Sequence, residues 1–206
     1  MTSETIAKTK RDVWVCKHYN NIMKLFLYIF ITWTLLFPVS VSAQQENAIP
    51  VEELLNRLSI SSEDHEAELL AEEVWARFFD SGSPSVDLIL QRGIDAQYSG
   101  DLELAGDFFS DVIEFAPDFA EGWNRRAALE YARGEYAAAA EDLGMAIELQ
   151  PRHFGALVGL GLVLERLGSA TGAFQAYSDA LAIHPFLAQA QEGVDRLSKQ
   201  VEGRQL

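Results

Sequence analysis

The chain has 206 residues, of which 49% are hydrophobic, and a formal net charge of -15. This composition allows one folded domain and disfavours disorder throughout. The charge is uneven, because residues 44–206 hold 29 acidic and 11 basic side chains, a formal charge of -18. Such a surface repels phosphate backbones and anionic lipid headgroups, so a nucleic-acid partner and adsorption on an acidic membrane are both disfavoured.

Residues 1–43 carry the pattern of a secretory signal peptide. Lys24 leads into an apolar run, and Val41 and Ala43 are the small residues that a signal peptidase requires before its cut. The run is short for a membrane span, which needs about 20 residues. We therefore predict cleavage after Ala43 and a periplasmic or secreted protein. Met23 is an alternative start, and an uncleaved anchor in the inner membrane is the alternative outcome.

Cys16 is the only cysteine of the chain, and it precedes the predicted cut. A mature chain that begins at Gln44 would contain no disulfide, no thiol nucleophile and no thiolate metal ligand. Its fold would have to be stabilised by packing alone.

Residues 44–85 are predicted to form an N-terminal helical cap or a degenerate repeat, followed by a linker. Apolar residues recur there at helical spacing, and Ala71 and Trp75 stand where a repeat would have its small and aromatic residues. The stretch 61–66 offers several metal-ligating side chains, but neighbouring residues on a helix point in different directions. We interpret it as a helix start capped by Ser61, since acids favour the positive end of the helix dipole.

A period of 34 residues runs through the middle of the chain. Glycines, prolines and alanines recur at this spacing, namely Gly100, Gly134, Gly168, Pro117, Pro151, Pro185, Ala105, Ala139 and Ala173. The period defines three units in register, at 86–119, 120–153 and 154–187. Each unit reads as two amphipathic helices, joined at the glycine, which tolerates a left-handed turn, and ended by the proline, which lacks an N–H. One such hairpin cannot bury its own apolar face, so the units must stack.

This pattern resembles the tetratricopeptide repeat (TPR) family. The third unit matches it best, through Leu157, Leu160 and Gly161 in its first helix and Ala173, Tyr177, Ala180 and Pro185 after them. The resemblance implies an all-α fold, a right-handed α-solenoid whose first helices line a concave groove. Residues 188–206 are expected to form a capping helix and tail. The chain as a whole resembles the small secreted TPR proteins of Gram-negative bacteria.

The family's geometry implies that the fifth, ninth and twelfth residues of each first helix face the groove. In this chain they are Leu90, Ile94, Gln97, Asn124, Ala128, Tyr131, Val158, Leu162 and Glu165, with Arg125 at the edge. This apolar surface with a few polar points suits a peptide or an amphipathic helix of a protein partner, unless residues 44–80 cover it. Family members that clamp a terminal carboxylate use Lys and Asn here. Only Asn124 matches, so the tails of cytosolic chaperones are not expected as ligands.

Arg92 and Arg126 occupy the same position in consecutive units, where the third unit has Leu160. One hypothesis is a cationic pair that holds a partner's carboxylate. The alternative is that their stems pack while their heads pair with nearby acids, for which the candidates are Asp95, Asp107 and Glu130.

The sequence contains no paired nucleophile and base and no phosphate-binding loop. His153 and His184 fall beside the repeat prolines and are expected to face solvent. We therefore expect a non-enzymatic interaction module or scaffold of the cell envelope, with no cofactor and no metal, and with membrane contact only if the leader is retained. The alternatives are a structural module for self-assembly and an accessory subunit of an envelope enzyme.

Overall fold

The computed structural model describes residues 49–202 of the chain. The predicted signal peptide and its cleavage site lie outside this part. The regular elements of the described part are nine α-helices, namely α1 (Val51–Ser59), α2 (Asp64–Phe78), α3 (Pro84–Ser99), α4 (Leu102–Phe115), α5 (Ala120–Arg133), α6 (Tyr136–Leu149), α7 (Phe154–Arg166), α8 (Ala170–Ile183) and α9 (Ala188–Glu202). None of these helices combines the length and the apolar character that crossing a membrane requires.

Helices α3 to α8 form three hairpins, α3–α4, α5–α6 and α7–α8, and consecutive hairpins pack on each other. The turn glycines Gly100, Gly134 and Gly168 have φ angles of 84°, 80° and 80°, in the left-handed region where a side chain would strain the backbone. Each second helix ends two residues before a repeat proline. The prediction of an all-α solenoid of helical hairpins is confirmed.

Small residues let the two helices of a hairpin approach each other closely. The repeat alanines Ala105, Ala139 and Ala173 are all 0% exposed. A Cβ added to Gly161 of α7 would lie 2.5 Å from the ring of Tyr177 in α8. Any larger residue would therefore push these helices apart. Helix α9 packs on α8 and extends the stack beyond the third unit.

Helices α1 and α2 form a further hairpin, which packs against the third unit. Helix α1 contacts α8, and the leucines of α1 share one apolar cluster with Phe154 and Tyr177. Arg152, in the turn before α7, donates hydrogen bonds to Glu52 at 3.2 Å and to Asn56 at 2.7 Å in α1. A repeat stacked before the first unit would pack on α3, so the hairpin acts instead as a cover on the third unit.

Helix α2 begins within the acidic stretch that we interpreted as a helix start. Asp64 and Glu66 lie in its first turn, where their charges favour the helix dipole. Ser61 is not the cap, because its hydroxyl donates to the carbonyl of Leu58 at 2.8 Å. The helix instead follows Glu63 without a side-chain cap.

Candidate functional site

The first helices of the second and third units, α5 and α7, enclose a cleft of about 240 Å³. Six of the predicted groove residues line it, namely Asn124, Arg125, Ala128, Tyr131, Val158 and Leu162. Trp75 of α2 and Gln189 of α9 line it as well. Sequence reasoning did not place these two at the groove, because neither belongs to the three units whose register defines it.

Two predicted groove residues of the first unit are buried in the described part of the chain. Leu90 and Ile94 were expected to line it, but they are only 2% and 8% exposed and lie in a core cluster with Val86 and Phe109. Phe79, which follows α2, packs against the same cluster. The expectation that Leu90 and Ile94 are open to a ligand is therefore corrected, because the apolar interior of the first unit takes up both side chains.

A buried carboxylate fixes the polar residues at one end of the cleft. Glu121, in the first turn of α5, is 1% exposed. It accepts hydrogen bonds from Asn124 Nδ2 at 2.9 Å, from Arg125 Nε, and from His153 Nε2 at 3.0 Å. Burial alone would raise the pKa of Glu121, but the hydrogen bond from His153 and the charge of Arg125 outweigh it and hold this pKa below its usual value. Glu121 is therefore ionised at neutral pH.

His153 is 0% exposed, so the expectation that it faces solvent is wrong. Its ring stacks on Phe78 with centroids 4.3 Å apart and meets Trp75 edge-on at 5.6 Å. Its Nδ1 accepts a hydrogen bond from the backbone N–H of Ala156 at 3.1 Å. With Nδ1 as an acceptor, Nε2 is the ring nitrogen that donates a hydrogen bond to Glu121. The aromatic residues of α2 account for the burial, because they cover the turn that contains His153.

Arg125 borders the cleft but is held by the protein's own groups. It forms an ion pair with Glu121 four residues earlier, and its side chain is 25% exposed. Its guanidinium lies over the ring of Phe79, 4.7 Å from the centroid. This stacking holds the arginine of the second unit against the end of the α1–α2 hairpin.

Trp75 forms a fixed wall of the cleft. A Cβ added to Gly155 would lie 2.5 Å from Cη2 of Trp75, so only glycine lets the indole lie against α7. The hairpin that carries Trp75 also buries several large apolar side chains at 0–7% exposure, namely Leu54, Leu55, Leu58, Leu70, Val74 and Phe78. Burial of each contributes about 1.5–3 kcal/mol, so the hairpin is an integral part of the fold and not a readily opened lid.

At the other end of the cleft, two predicted groove residues are engaged by arginines. Tyr131 accepts a hydrogen bond at its hydroxyl from Arg166 Nε at 3.1 Å. Glu165 was expected to face the groove, but it accepts hydrogen bonds from the Tyr177 hydroxyl at 2.7 Å and from Arg196 Nη2 at 2.6 Å. Glu165 thus ties the third unit to the capping helix α9 and does not line the cleft.

Arg126 is not free to hold a partner's carboxylate. Its Nε and Nη2 donate to the two oxygens of Asp142 in α6 at 2.6 and 2.8 Å. Asp142 is 5% exposed, and it was not among the three acids proposed as partners. Comparison of equivalent repeat positions would have indicated this ion pair. Arg126 and Asp142 are the seventh and twenty-third residues of their unit, where the third unit has the apolar residues Leu160 and Ala176.

Arg92, the other arginine of the hypothetical cationic pair, lies in a different environment. Arg92 is exposed, and the twenty-third residue of its unit is Phe108 in place of an acid. The two arginines therefore have different roles, one at the surface and one in a largely buried ion pair.

A second, polar cleft of about 650 Å³ lies on the opposite face of α5. It is lined by Glu130 and Arg133 of α5 and by Glu103 and Asp107 of α4, among others. Oε2 of Glu130 is buried and has no hydrogen-bond partner within residues 49–202. Burial and the neighbouring charge of Asp142 raise the pKa of Glu130 to about 7. Glu130 therefore exchanges a proton close to neutral pH.

The buried histidines do not assemble a metal centre. Within residues 49–202, no group of three or more His, Cys, Asp or Glu side chains is placed to hold a metal ion. His184 is 8% exposed, not solvent-facing as expected, and it meets Phe154 edge-on with centroids 5.4 Å apart. Burial lowers the pKa of His184, so at neutral pH it behaves as a neutral packing residue.

Comparison with solved structures identifies the fold. The Sgt2 TPR domain from Aspergillus fumigatus superposes with a TM-score of 0.55 at 24% identity, covering 60% of this chain and 83% of that domain. The first TPR of Spaghetti (RPAP3), which was solved bound to an HSP90 peptide, gives a TM-score of 0.55 at 18% identity and covers 57% and 93% of the two chains. At these identities the likeness concerns the fold alone.

Comparison of sequences identifies the family. The tetratricopeptide repeat family model matches residues 124–188. A tetratricopeptide repeat protein 36 homolog of Nematostella vectensis is 42% identical over 62 residues, 30% of this chain and 34% of that protein. A TPR repeat-containing protein of Rhizobium etli is 32% identical over 184 residues, 84% of this chain and 90% of that protein. With a match along most of both chains, this protein belongs to the tetratricopeptide repeat family.

Proposed function

We propose that this protein is a non-catalytic interaction module that holds a segment of a partner protein in the cleft between α5 and α7. The observation that carries the proposal is the convergence of Ala128 and Leu162 with Asn124 and Tyr131 around one cleft, which the buried Val158 also lines. Apolar walls with a few placed polar groups are the usual composition of a binding site. Ala128 is exposed, so the cleft can be reached from solvent.

The dimensions of the cleft favour a side chain presented by a peptide or helix. Its volume of about 240 Å³ is below the roughly 300 Å³ at which sites for drug-sized ligands begin. The apolar walls then select an aliphatic or aromatic side chain, and Asn124 offers hydrogen bonds to the segment that carries it. The net charge of -18 over residues 44–206 attracts basic partners and repels acidic ones.

The family supports a peptide or protein as the ligand. Its members are in general non-catalytic interaction modules, and solved structures of this fold include one bound to an HSP90 peptide and the TPR2B domain of yeast Sti1 in an Hsp70 complex. We do not extend those ligands to this chain, because the clamp lysine is missing from its groove positions. An apolar side chain of the partner fits the apolar residues that line the cleft.

We place the interaction in the periplasm or outside the cell, on the signal-peptide pattern of residues 1–43. The mass of the protein purified from its own cells tests this placement. A mature N-terminus at Gln44 is the expected result. An uncut N-terminus in the membrane fraction would support the anchored alternative and overturn the cleaved one.

Capture from a cell-envelope extract tests the cleft. Leu162→Glu places a charge in the apolar wall, and we expect it to remove the captured partners. Met145→Glu is the matched control, because Met145 lies on the second helix α6 and is 37% exposed. Circular dichroism verifies that both variants fold. Equal loss in both variants, or no captured partner with the unmodified protein, would contradict the proposal.

A further inference from the structure

One position of the repeat is exposed in two units and buried in the third. Phe115, Leu149 and Ile183 are the thirtieth residues of their units and the last residues of α4, α6 and α8. Their exposed fractions are 64%, 36% and 8%. The chain therefore covers this position in the third unit and leaves it open in the other two.

The cover of the third unit is helix α1. It packs on α8, and its residues Leu54, Leu55 and Leu58 lie in one apolar cluster with Ile183. Their spacing places the three leucines on one face of the helix. At the edge of this contact, Arg152 binds an acidic residue of α1, Glu52, and the neighbouring Asn56. The docking of α1 thus combines a leucine face with a contact between an acid and an arginine.

The corresponding edge of the first unit has the opposite charge. Arg152 is the thirty-third residue of its unit, and the same position one unit earlier is Asp118, which is exposed. Two further exposed acids, Glu114 and Glu148, directly precede Phe115 and Leu149. A helix docked at this place would be repelled if it carried glutamate where α1 does, and attracted if it carried lysine or arginine.

A hollow of about 170 Å³ opens beside Leu149. Asp118 and Leu149 line it from the repeat units, and Arg77, Phe78 and Asp80 line it from the end of the α1–α2 hairpin. Arg77 pairs with Glu73 at 3.8 Å, so its charge is offset within α2. The open surface is therefore continuous with the interface that the hairpin already occupies. The hollow gives a long basic side chain a place to reach two carboxylates.

We infer that Phe115 and Leu149, here called the end row, form a second docking surface for a basic amphipathic helix of a partner protein. The helix continues the line of α1, with apolar residues on the end row and a lysine or arginine directed to Asp118 and Asp80. Docking through α1 of a second copy of this chain is disfavoured, because it would bring Glu52 to Asp118. The end row and its hollow share no lining residue with the α5–α7 cleft, and this inference does not depend on the proposed function.

Two synthetic peptides test the end row against the full-length chain. Both have leucines at the spacing of Leu54, Leu55 and Leu58, and they carry either lysine or glutamate at the remaining positions. Fluorescence anisotropy should show the lysine peptide binding at least about tenfold more tightly than the glutamate peptide. Phe115→Ala should weaken the lysine peptide about tenfold, because the phenyl burial is lost.

Matched variants separate the end row from general charge attraction. Asp118→Lys should weaken the lysine peptide several-fold, whereas Asp195→Lys, the same change on α9, should have a much smaller effect. Tyr98→Ala, at an aromatic residue that is 87% exposed elsewhere, should leave binding unchanged. Leu162→Glu should also leave it unchanged, which distinguishes this surface from the cleft.

Three results would overturn the inference. The first is that the two peptides bind with equal affinity. The second is that the Phe115→Ala variant binds the lysine peptide as tightly as the unmodified protein does. The third is a dimer in light scattering that Phe115→Ala dissociates, since it would assign the end row to a second copy of this chain.

Discussion

The second and third units share one backbone plan and both have an apolar core, but three interior positions differ in kind. In the second unit these positions contain charged groups, namely Glu121 and the Arg126–Asp142 pair. In the third unit the same positions hold Gly155, Leu160 and Ala176, and its apolar interior is continuous with that of the α1–α2 hairpin. The period thus specifies where side chains meet and leaves open whether they meet through ions or through apolar contacts.

This difference explains why the hairpin attaches where it does. Gly155 leaves room for the indole of Trp75 on the third unit, whereas the same position of the second unit holds the buried carboxylate of Glu121. The contacts of the hairpin with the second unit include polar groups, since Phe79 lies on Arg125 and Glu52 pairs with Arg152. Four substitutions probe the contrast between the two units, beginning with the largest expected effect.

Phe154→Ala should lower the free energy of unfolding by about 3–5 kcal/mol, because it leaves a cavity in the apolar interior of the third unit. Phe154 is 1% exposed and its ring meets Trp75 at 5.1 Å. Urea unfolding at neutral pH measures the change. A loss below about 1 kcal/mol would show that the hairpin does not pack on the third unit in this way.

Asp142→Ala should lower the free energy of unfolding by about 2 kcal/mol, because it leaves Arg126 partly buried without its partner. The double substitution Arg126→Leu with Asp142→Ala gives the second unit the residues of the third. It should recover stability to within about 1 kcal/mol of the unmodified protein. If the double variant loses as much free energy of unfolding as the two single variants together, the second unit does not accept the apolar packing of the third unit at this position.

Glu121→Gln should lower the free energy of unfolding by about 1–2 kcal/mol at pH 7, because the hydrogen bonds to an ionised acceptor are weakened. The folded-state pKa of Glu121 lies below the ordinary value of 4.5. Its contribution is therefore fully present above pH 4.5 and is lost as the pH falls through the lower folded value. Unfolding measured from pH 7 to pH 3 should show the gap between the two proteins closing, and a gap that is independent of pH would contradict the ionised pair.

Glu130→Gln should raise the free energy of unfolding at pH 8, because it removes a carboxylate whose charged form is disfavoured by burial. Since this side chain is partly exposed, the expected gain is at most about 1 kcal/mol. The folded-state pKa of about 7 lies above the ordinary 4.5, so wild-type stability falls as the pH rises between these values. The stability of the Glu130→Gln variant should not fall in this way over the same pH range. Thermal unfolding at pH 5 and pH 8 tests it, and equal pH slopes for both proteins would count against a carboxylate with a raised pKa.

The sequence predicted the features that depend on local spacing. The left-handed glycines, the helix ends before the prolines and the close approach at Gly161 all follow from residues less than one unit apart. The sequence also predicted that Asn124, Ala128 and Leu162 line one groove, because a repeat places equivalent residues on neighbouring parallel helices.

The features that escaped prediction depend on contacts without a period. The burial of His153 and the position of Trp75 result from a hairpin outside the repeat, which joins residues about 80 positions apart. The burial of Leu90 and Ile94 depends on how the first unit fills its own interior. The Arg126–Asp142 pair was the exception, since comparing equivalent positions of two units would have revealed it.

The central claim is that the cleft between α5 and α7 contacts a partner, and site-specific photo-crosslinking tests it most directly. A photoreactive residue at Ala128 lies in the cleft, and one at Ala137, which is exposed on α6, is its control. We predict a crosslinked partner from position 128 that disappears with Leu162→Glu, and no such product from position 137. Equal crosslinking at both positions, or a product at 128 that persists with Leu162→Glu, would contradict the claim.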